Sequence, residues 1–153
     1  MPAFYCPLKK VIDEVKLDVT YLPGALDTIR IESAEVNRPG VFLAGYYDYF
    51  DHTRLQTCGL AEMNYLSQMK PAKRREALEK LFSMQPPAVI VSRSRELEPF
   101  PEMLEFAEKY KVPLLRSNET TSTLLGNLIS ILNVELAPRV TRHGVLVEVY
   151  GEG

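Results

Sequence analysis

The sequence has no tryptophan, only two cysteines and two histidines in 153 residues, and no cluster of glycines around a lysine. Cys6 and Cys58 have neither C-x-x-C spacing nor a histidine nearby, which leaves no basis for a thiolate metal site or a disulfide framework and points to a reducing compartment. His52 and His143 lack carboxylate or cysteine partners at ligand spacing, so a metal centre has no support. Neither G-x-G-x-x-G nor G-x-x-x-x-G-K-[ST] occurs, and the glycine cradles that hold nucleotide phosphates are therefore missing. The G-x-S-x-G elbow of serine nucleophiles is missing too. Charge of one sign is not in excess: 18 basic residues against 20 acidic ones give a net charge of -2, too little field to gather nucleic acid or an acidic membrane. No apolar run approaches the roughly 20 residues that span a bilayer, and Met1 to Lys10 has no signal-peptide hydrophobic segment, so a soluble cytoplasmic protein is expected.

What is present is 46% hydrophobic sequence, enough in this length for one sizeable core. Leu8, Val11, Ile12 and Val15 keep helical spacing, with a strand-like tail at 17–21. Ile29 and Ile31 alternate with Arg30 and Glu32 as a short half-buried strand, and 37–40, Asn-Arg-Pro-Gly, reads as a turn before the apolar run 41–44. Gly59 opens a helix with Leu60, Met63 and Leu66 on one face. Pro71 starts another, whose face is Ala77, Leu78, Leu81 and Phe82, with Glu76 and Lys80 paired one turn apart. The β-branched run 88–91 has no polar alternation and reads as a strand covered on both faces. A helix from Pro101 through Met103, Leu104, Ala107 and Tyr110, then an apolar strand at 112–115, continue a β-α-β rhythm. Thr120 or Thr121 caps a last helix carrying Leu124, Leu125, Leu128, Ile129 and Leu132 and ending near Asn133. Beyond Pro138, Val145, Val147 and Val149 alternate with Leu146, Glu148 and Tyr150 as a strand with one wet face. The expectation is an α/β domain with a short, mostly parallel sheet flanked by helices.

Several local features have both a chemical and a purely structural reading. Lys70, Lys73, Arg74 and Arg75 could meet an anion, but Glu76 and Glu79 interleave with them, as on a solvated helix face. The hydroxyl-rich run 117–123 could hold an anion on free backbone N–H groups, and ordinary capping accounts for it equally well. The loop 45–52 packs Tyr46, Tyr47, Tyr49 and Phe50 around Asp48 and Asp51, which suits a ligand lid or a subunit or domain contact. His143, at the mouth of a strand, has the chemistry of an acid–base group near neutral pH, although a lone histidine there is commonly structural.

Two blocks are more specific than their spacing. Asn37-Arg38-Pro39-Gly40 with Leu43-Ala44-Gly45-Tyr46-Tyr47-Asp48-Tyr49-Phe50 resembles the RPG…LAGYFDYF signature of the HPr kinase/phosphorylase N-terminal domain. Arg54, Gln56, Gly59, Glu62 and Tyr65-Leu66 match the R-x-Q-x-x-G-x-x-E-x-x-Y-L that follows it in that family. Leu136-Ala137-Pro138-Arg139 and the segment His143 to Gly151 resemble its junction with the catalytic domain, so the resemblance runs from about Val11 to Gly153. It implies a bifunctional, cytoplasmic bacterial enzyme that uses ATP or pyrophosphate with magnesium to phosphorylate a serine of the phosphocarrier HPr. The same enzyme removes that phosphate by phosphorolysis and works as a hexamer in carbon catabolite repression and control of sugar uptake.

The phosphate loop, its lysine and the magnesium ligand follow the H-G-V-L-V strand in that family and are not in this sequence. The resemblance therefore implies 1–134 as an N-terminal assembly or regulatory domain and 135–153 as a linker and first strand of a missing P-loop kinase domain. No cofactor site is expected within these residues, no activity is expected of them alone, and HPr is met through the catalytic half. His143 is the one candidate catalytic residue, and only in the longer protein. The family's N-terminal domain is similar in fold to the first domain of Mur ligases, with which 39–44 is compatible. That leaves an alternative, a binding domain for a nucleotide-sugar-like or phosphorylated metabolite, and the discriminator is whether a concave pocket forms beside Tyr46 to Phe50. A complete small enzyme is the weakest reading, since no nucleophile–base pair is visible.

Overall fold

The computed structural model describes residues 5–24 and 28–137. Its centre is a five-stranded sheet in the order β2 (Asp18–Tyr21), β7 (Leu114–Arg116), β6 (Val89–Val91), β5 (Leu55–Cys58), β4 (Val36–Asn37). β4 to β7 run parallel and β2 closes one edge antiparallel to β7. A two-stranded antiparallel ribbon, β1 (Cys6–Pro7) with β3 (Arg30–Ile31), lies apart from it. The expected α/β class with a mostly parallel sheet is what the chain forms.

Helices cover both faces. Strand side chains alternate, so Cys58, Val89, Val91 and Leu114 point into one core with α2 (Gly40–Leu43), α3 (Leu60–Gln68), α4 (Pro71–Ser83) and α5 (Pro101–Tyr110). Leu55, Ala88, Ile90 and Leu115 point into the other with α1 (Leu8–Val15) and α6 (Thr121–Leu136). Both faces of β6 are buried, which is why 88–91 carries no polar alternation.

The structure corrects several expectations. β5 is not legible in the sequence because Gln56 and Thr57 interrupt any apolar run, yet both are buried in the sheet. Their polar groups are satisfied there: Asn37 Nδ2 donates to Gln56 Oε1 at 2.7 Å, Gln56 Nε2 donates to the Arg54 carbonyl at 3.0 Å, and Thr57 Oγ1 donates to the Asn37 carbonyl at 3.2 Å. The run 41–44 is mostly the single helical turn α2, with Phe42 and Leu43 buried and Val41 exposed. On α3 the face is Met63 and Leu66 with Glu62, while Leu60 is 54% exposed. On α5 Phe106 is buried and Leu104 is more than a third exposed. α6 continues to Leu136, one turn beyond Asn133, and of its apolar set Leu124, Leu128 and Leu132 are buried while Ile129 is exposed. His143, the strand 145–150 and the junction from Pro138 onward lie outside the described residues.

Candidate functional site

The two signature blocks fold onto each other at the carboxyl ends of the parallel strands. β5 delivers the chain to Gly59, which is buried, and α3 begins at once. One turn in, Glu62 turns back: its Oε1 accepts the Gly59 N–H at 2.9 Å, the half of a capping box that a glycine N-cap permits. The same carboxylate receives Arg38 in a two-pronged pair, with Nε donating to Oε2 and Nη2 to Oε1, each at 3.0 Å. The Glu62 side chain is 6% exposed and that of Arg38 41%, so a nearly dry carboxylate is held by a half-wet guanidinium. Arg54 lies at the opposite, amino-terminal end of β5, beside the aromatic loop. It pairs with Glu35 at 3.0 Å and Asp51 at 3.3 Å, and Asp51 Oδ1 accepts both the Thr53 N–H at 2.9 Å and its hydroxyl at 2.6 Å. The Thr53 hydrogen bonds, from its hydroxyl and then its N–H, hold the Asp51 carboxyl below the usual range, aided by Arg54.

α6 enters the same corner from the other face. Thr120 caps it, its hydroxyl accepting the Thr123 N–H at 3.3 Å. Thr121 is buried beneath, its Oγ1 2.7 Å from Ser92 Oγ. Gly59 permits this close approach: a Cβ there would lie 2.0 Å from Thr121 Oγ1 and 3.0 Å from its Cβ. Around the corner a hollow of about 780 Å³ is lined by Arg38, Leu60, Asn64, Arg93, Thr120 and Ser122, among others. Ligands of open α/β sheets bind at the carboxyl ends of strands. Here, however, Arg38 is committed to Glu62 and Arg93 reaches Glu96 at 3.5 Å.

Nothing in this corner is armed for covalent chemistry. Burial pushes the Cys58 thiol up to about 12, Glu62 adding to the rise against the opposing Arg38, and burial likewise raises Cys6 to about 11. Among the described residues no cluster of histidine, cysteine and carboxylate could hold a metal ion. No helix among them is long and apolar enough to cross a membrane.

The basic cluster divides. Arg74 pairs with Glu102 at 2.9 Å and lies over the Phe100 ring, and Arg75 pairs with Glu105 through both nitrogens, so these two fasten α4 to α5 rather than simply facing water. Glu79 extends that ladder, accepting from Lys109 Nζ and Tyr110 Oη at 2.7 Å each, and those bonds, Lys109's first, lower its carboxyl. Lys80 sits over the Tyr47 ring at 5.0 Å in place of the expected pairing with Glu76.

The aromatic loop is ordered from below. Phe42 meets Tyr47 edge-on, with ring centroids 4.8 Å apart, and Phe50 at 4.2 Å. Gly45 turns the chain at φ 109°, and Tyr49, 95% exposed, is left-handed at φ 63°, a conformation that costs roughly 1–3 kcal/mol for a residue with a side chain. A concave hollow of about 410 Å³ does form beside this loop, between Leu43, Gly45 and Tyr47 on one side and Tyr65, Met69, Lys70, Lys73 and Ala77 on the other.

Against this geometry stand the chain's relatives. Residues 6–132 match the family model described as HPr Serine kinase N terminus. The chain belongs to that family. An HPr kinase/phosphorylase of Caldicellulosiruptor bescii is 45% identical over 150 residues, covering 98% of this chain and 48% of the relative. One from Streptococcus pneumoniae is 40% identical over 146 residues, covering 95% and 46%. The chain thus spans about half the length of the curated relatives it matches. A solved structure of the CBS and DRTGG domains of the regulatory region of Clostridium perfringens pyrophosphatase, complexed with its activator diadenosine tetraphosphate, shares the fold. It superposes with a TM-score of 0.58 at 11% identity, over 85% of this chain and 50% of that one. The clasp of Arg38, Gly59 and Glu62 gives part of the family signature a physical reason: Arg38 of the first block and Glu62 of the second are spent on each other.

Proposed function

We propose that this chain is the N-terminal assembly or regulatory domain of a bifunctional serine kinase/phosphorylase acting on HPr. The reading is carried by the family match over residues 6–132 together with relatives named HPr kinase/phosphorylase that are about twice as long. In this reading ATP or pyrophosphate and magnesium are bound by a P-loop half that follows in the natural protein. The strand 145–150 belongs to that half, and His143 lies close to the transferring phosphoryl group, where a donor or cation stabilises charge developing on its oxygens. The protein is cytoplasmic and assembles as a hexamer, and the domain's fold is akin to the first domain of Mur ligases. The 153 residues alone are inactive.

The test begins with the natural reading frame, in which a G-x-x-x-x-G-K-[ST] motif is expected soon after Gly153. The extended protein should convert HPr to its phosphoserine form with magnesium and ATP, and the 153-residue chain should neither do so nor bind the nucleotide in calorimetry. Replacing His143 by Ala in the extended protein should lower kcat in both directions by at least about tenfold, roughly 1.4 kcal/mol of barrier. A frame without the motif, or an extended protein that leaves HPr unmodified, overturns the reading.

A further inference from the structure

The hollow beside the aromatic loop carries two lysines without ion-pair partners among the described residues, on walls built partly from the core. Leu43 is buried at its base, Met69 and Ala77 are partly buried, and Tyr47 and Tyr65 stand about half exposed at its sides. Its volume of about 410 Å³ falls within the range of small-molecule sites. Lys70 and Lys73 lie on its edge, and among the described residues neither forms an ion pair, whereas the adjacent Arg74 and Arg75 are both paired to α5. With Glu76 the lining carries two positive groups and one negative. The walls are already set: Phe42 fixes the Tyr47 ring from one side and Lys80 lies over it. At Gly45 the space a side chain would fill is open, so a ligand can approach the backbone there.

We propose that this hollow binds a small organic anion with a ring or other flat apolar body, the ring lying against Tyr47 and Tyr65 and the anionic end at Lys70 and Lys73. Aromatic walls favour a flat body, and two unspent ammonium groups favour a phosphate or carboxylate over a neutral or cationic one. The proposal does not depend on the kinase reading, because HPr phosphorylation by the extended protein is a separate measurement.

The probe is phenyl phosphate, titrated into the ¹⁵N-labelled 153-residue chain beside inorganic phosphate and phenol. Saturable amide shifts are expected at Gly45, Tyr47, Tyr65 and Lys73, with phenyl phosphate binding at least about tenfold more tightly than either half-probe. The exposed double substitution Lys70→Glu with Lys73→Glu should abolish the shifts while leaving the rest of the spectrum in place. Tyr47→Leu should weaken phenyl phosphate and leave inorganic phosphate as it was. Absence of saturable shifts up to about 10 mM, far weaker than useful recognition, overturns the proposal. So do shifts that map elsewhere or survive the double substitution, and inorganic phosphate binding as well as the aryl ester.

Discussion

Arg38 with Glu62 and Arg75 with Glu105 are both two-pronged arginine–glutamate pairs, the first through Nε and Nη2 and the second through Nη1 and Nη2, set in different surroundings. The Glu62 carboxylate is 6% exposed and also caps α3 through Gly59, while both partners of the second pair are about half exposed. Geometry alone therefore does not rank them. A buried carboxylate that loses its cation is left in a medium that cannot solvate it, and an exposed one simply returns to water.

One of the two largest expected effects tests that difference directly. Arg38→Ala should destabilise the domain toward the lower end of roughly 3–5 kcal/mol, since the guanidinium it removes is itself partly wet. Chemical denaturation monitored by circular dichroism measures it, and a loss no greater than that of Arg75→Ala would erase the contrast. Leu128→Ala, at the fully buried middle of the α6 face, should cost about 2–5 kcal/mol, and a loss under roughly 0.5 kcal/mol would mean the helix does not pack as described.

The third expectation concerns pH. Both thiols keep their protons in the folded state to about 11 and about 12, whereas unfolded thiols ionise near 8.5. The folded state thus holds protons that the unfolded state releases. Their stabilising contribution is complete below about pH 8.5 and is lost as pH rises toward the folded values. Denaturation midpoints should fall more steeply between about pH 9 and 11 for the natural chain than for Cys58→Ala, and parallel curves would show the thiol is not confined as described. The smallest effect is the Arg75–Glu105 coupling, which a double-mutant cycle should not resolve from zero at physiological salt.

How far the sequence foretold this structure depended on where each residue found its partners. α4, α5 and α6 announce themselves because their apolar residues recur at the helical period, and β6 because it is a short unbroken apolar run covered on both faces. β5 does not, because Gln56 and Thr57 are made compatible with burial by Asn37 and the Arg54 carbonyl, which only the folded sheet brings near. α2 is a single turn and too short to show a period. The signature blocks were legible as a family resemblance, but that Arg38 spends its charge on Glu62, 24 positions on, is a fact of packing. The hollow was foreseen only as a question about the aromatic loop. Its basic edge comes from α4, which periodicity placed on a helix without saying what lay across from it.

The clearance between Gly59 and Thr121 has a consequence for how related sequences drift. No methyl group fits between them as they stand, so the two positions share one allotment of space, and a gain of volume at either must be matched by a loss at the other. Gly59→Ala alone should be poorly tolerated, Thr121→Gly alone should leave a void and an unpartnered Ser92 hydroxyl, and the two together should recover part of the damage. Positions on different helices, remote in sequence, would then co-vary as a single character, inherited and altered together.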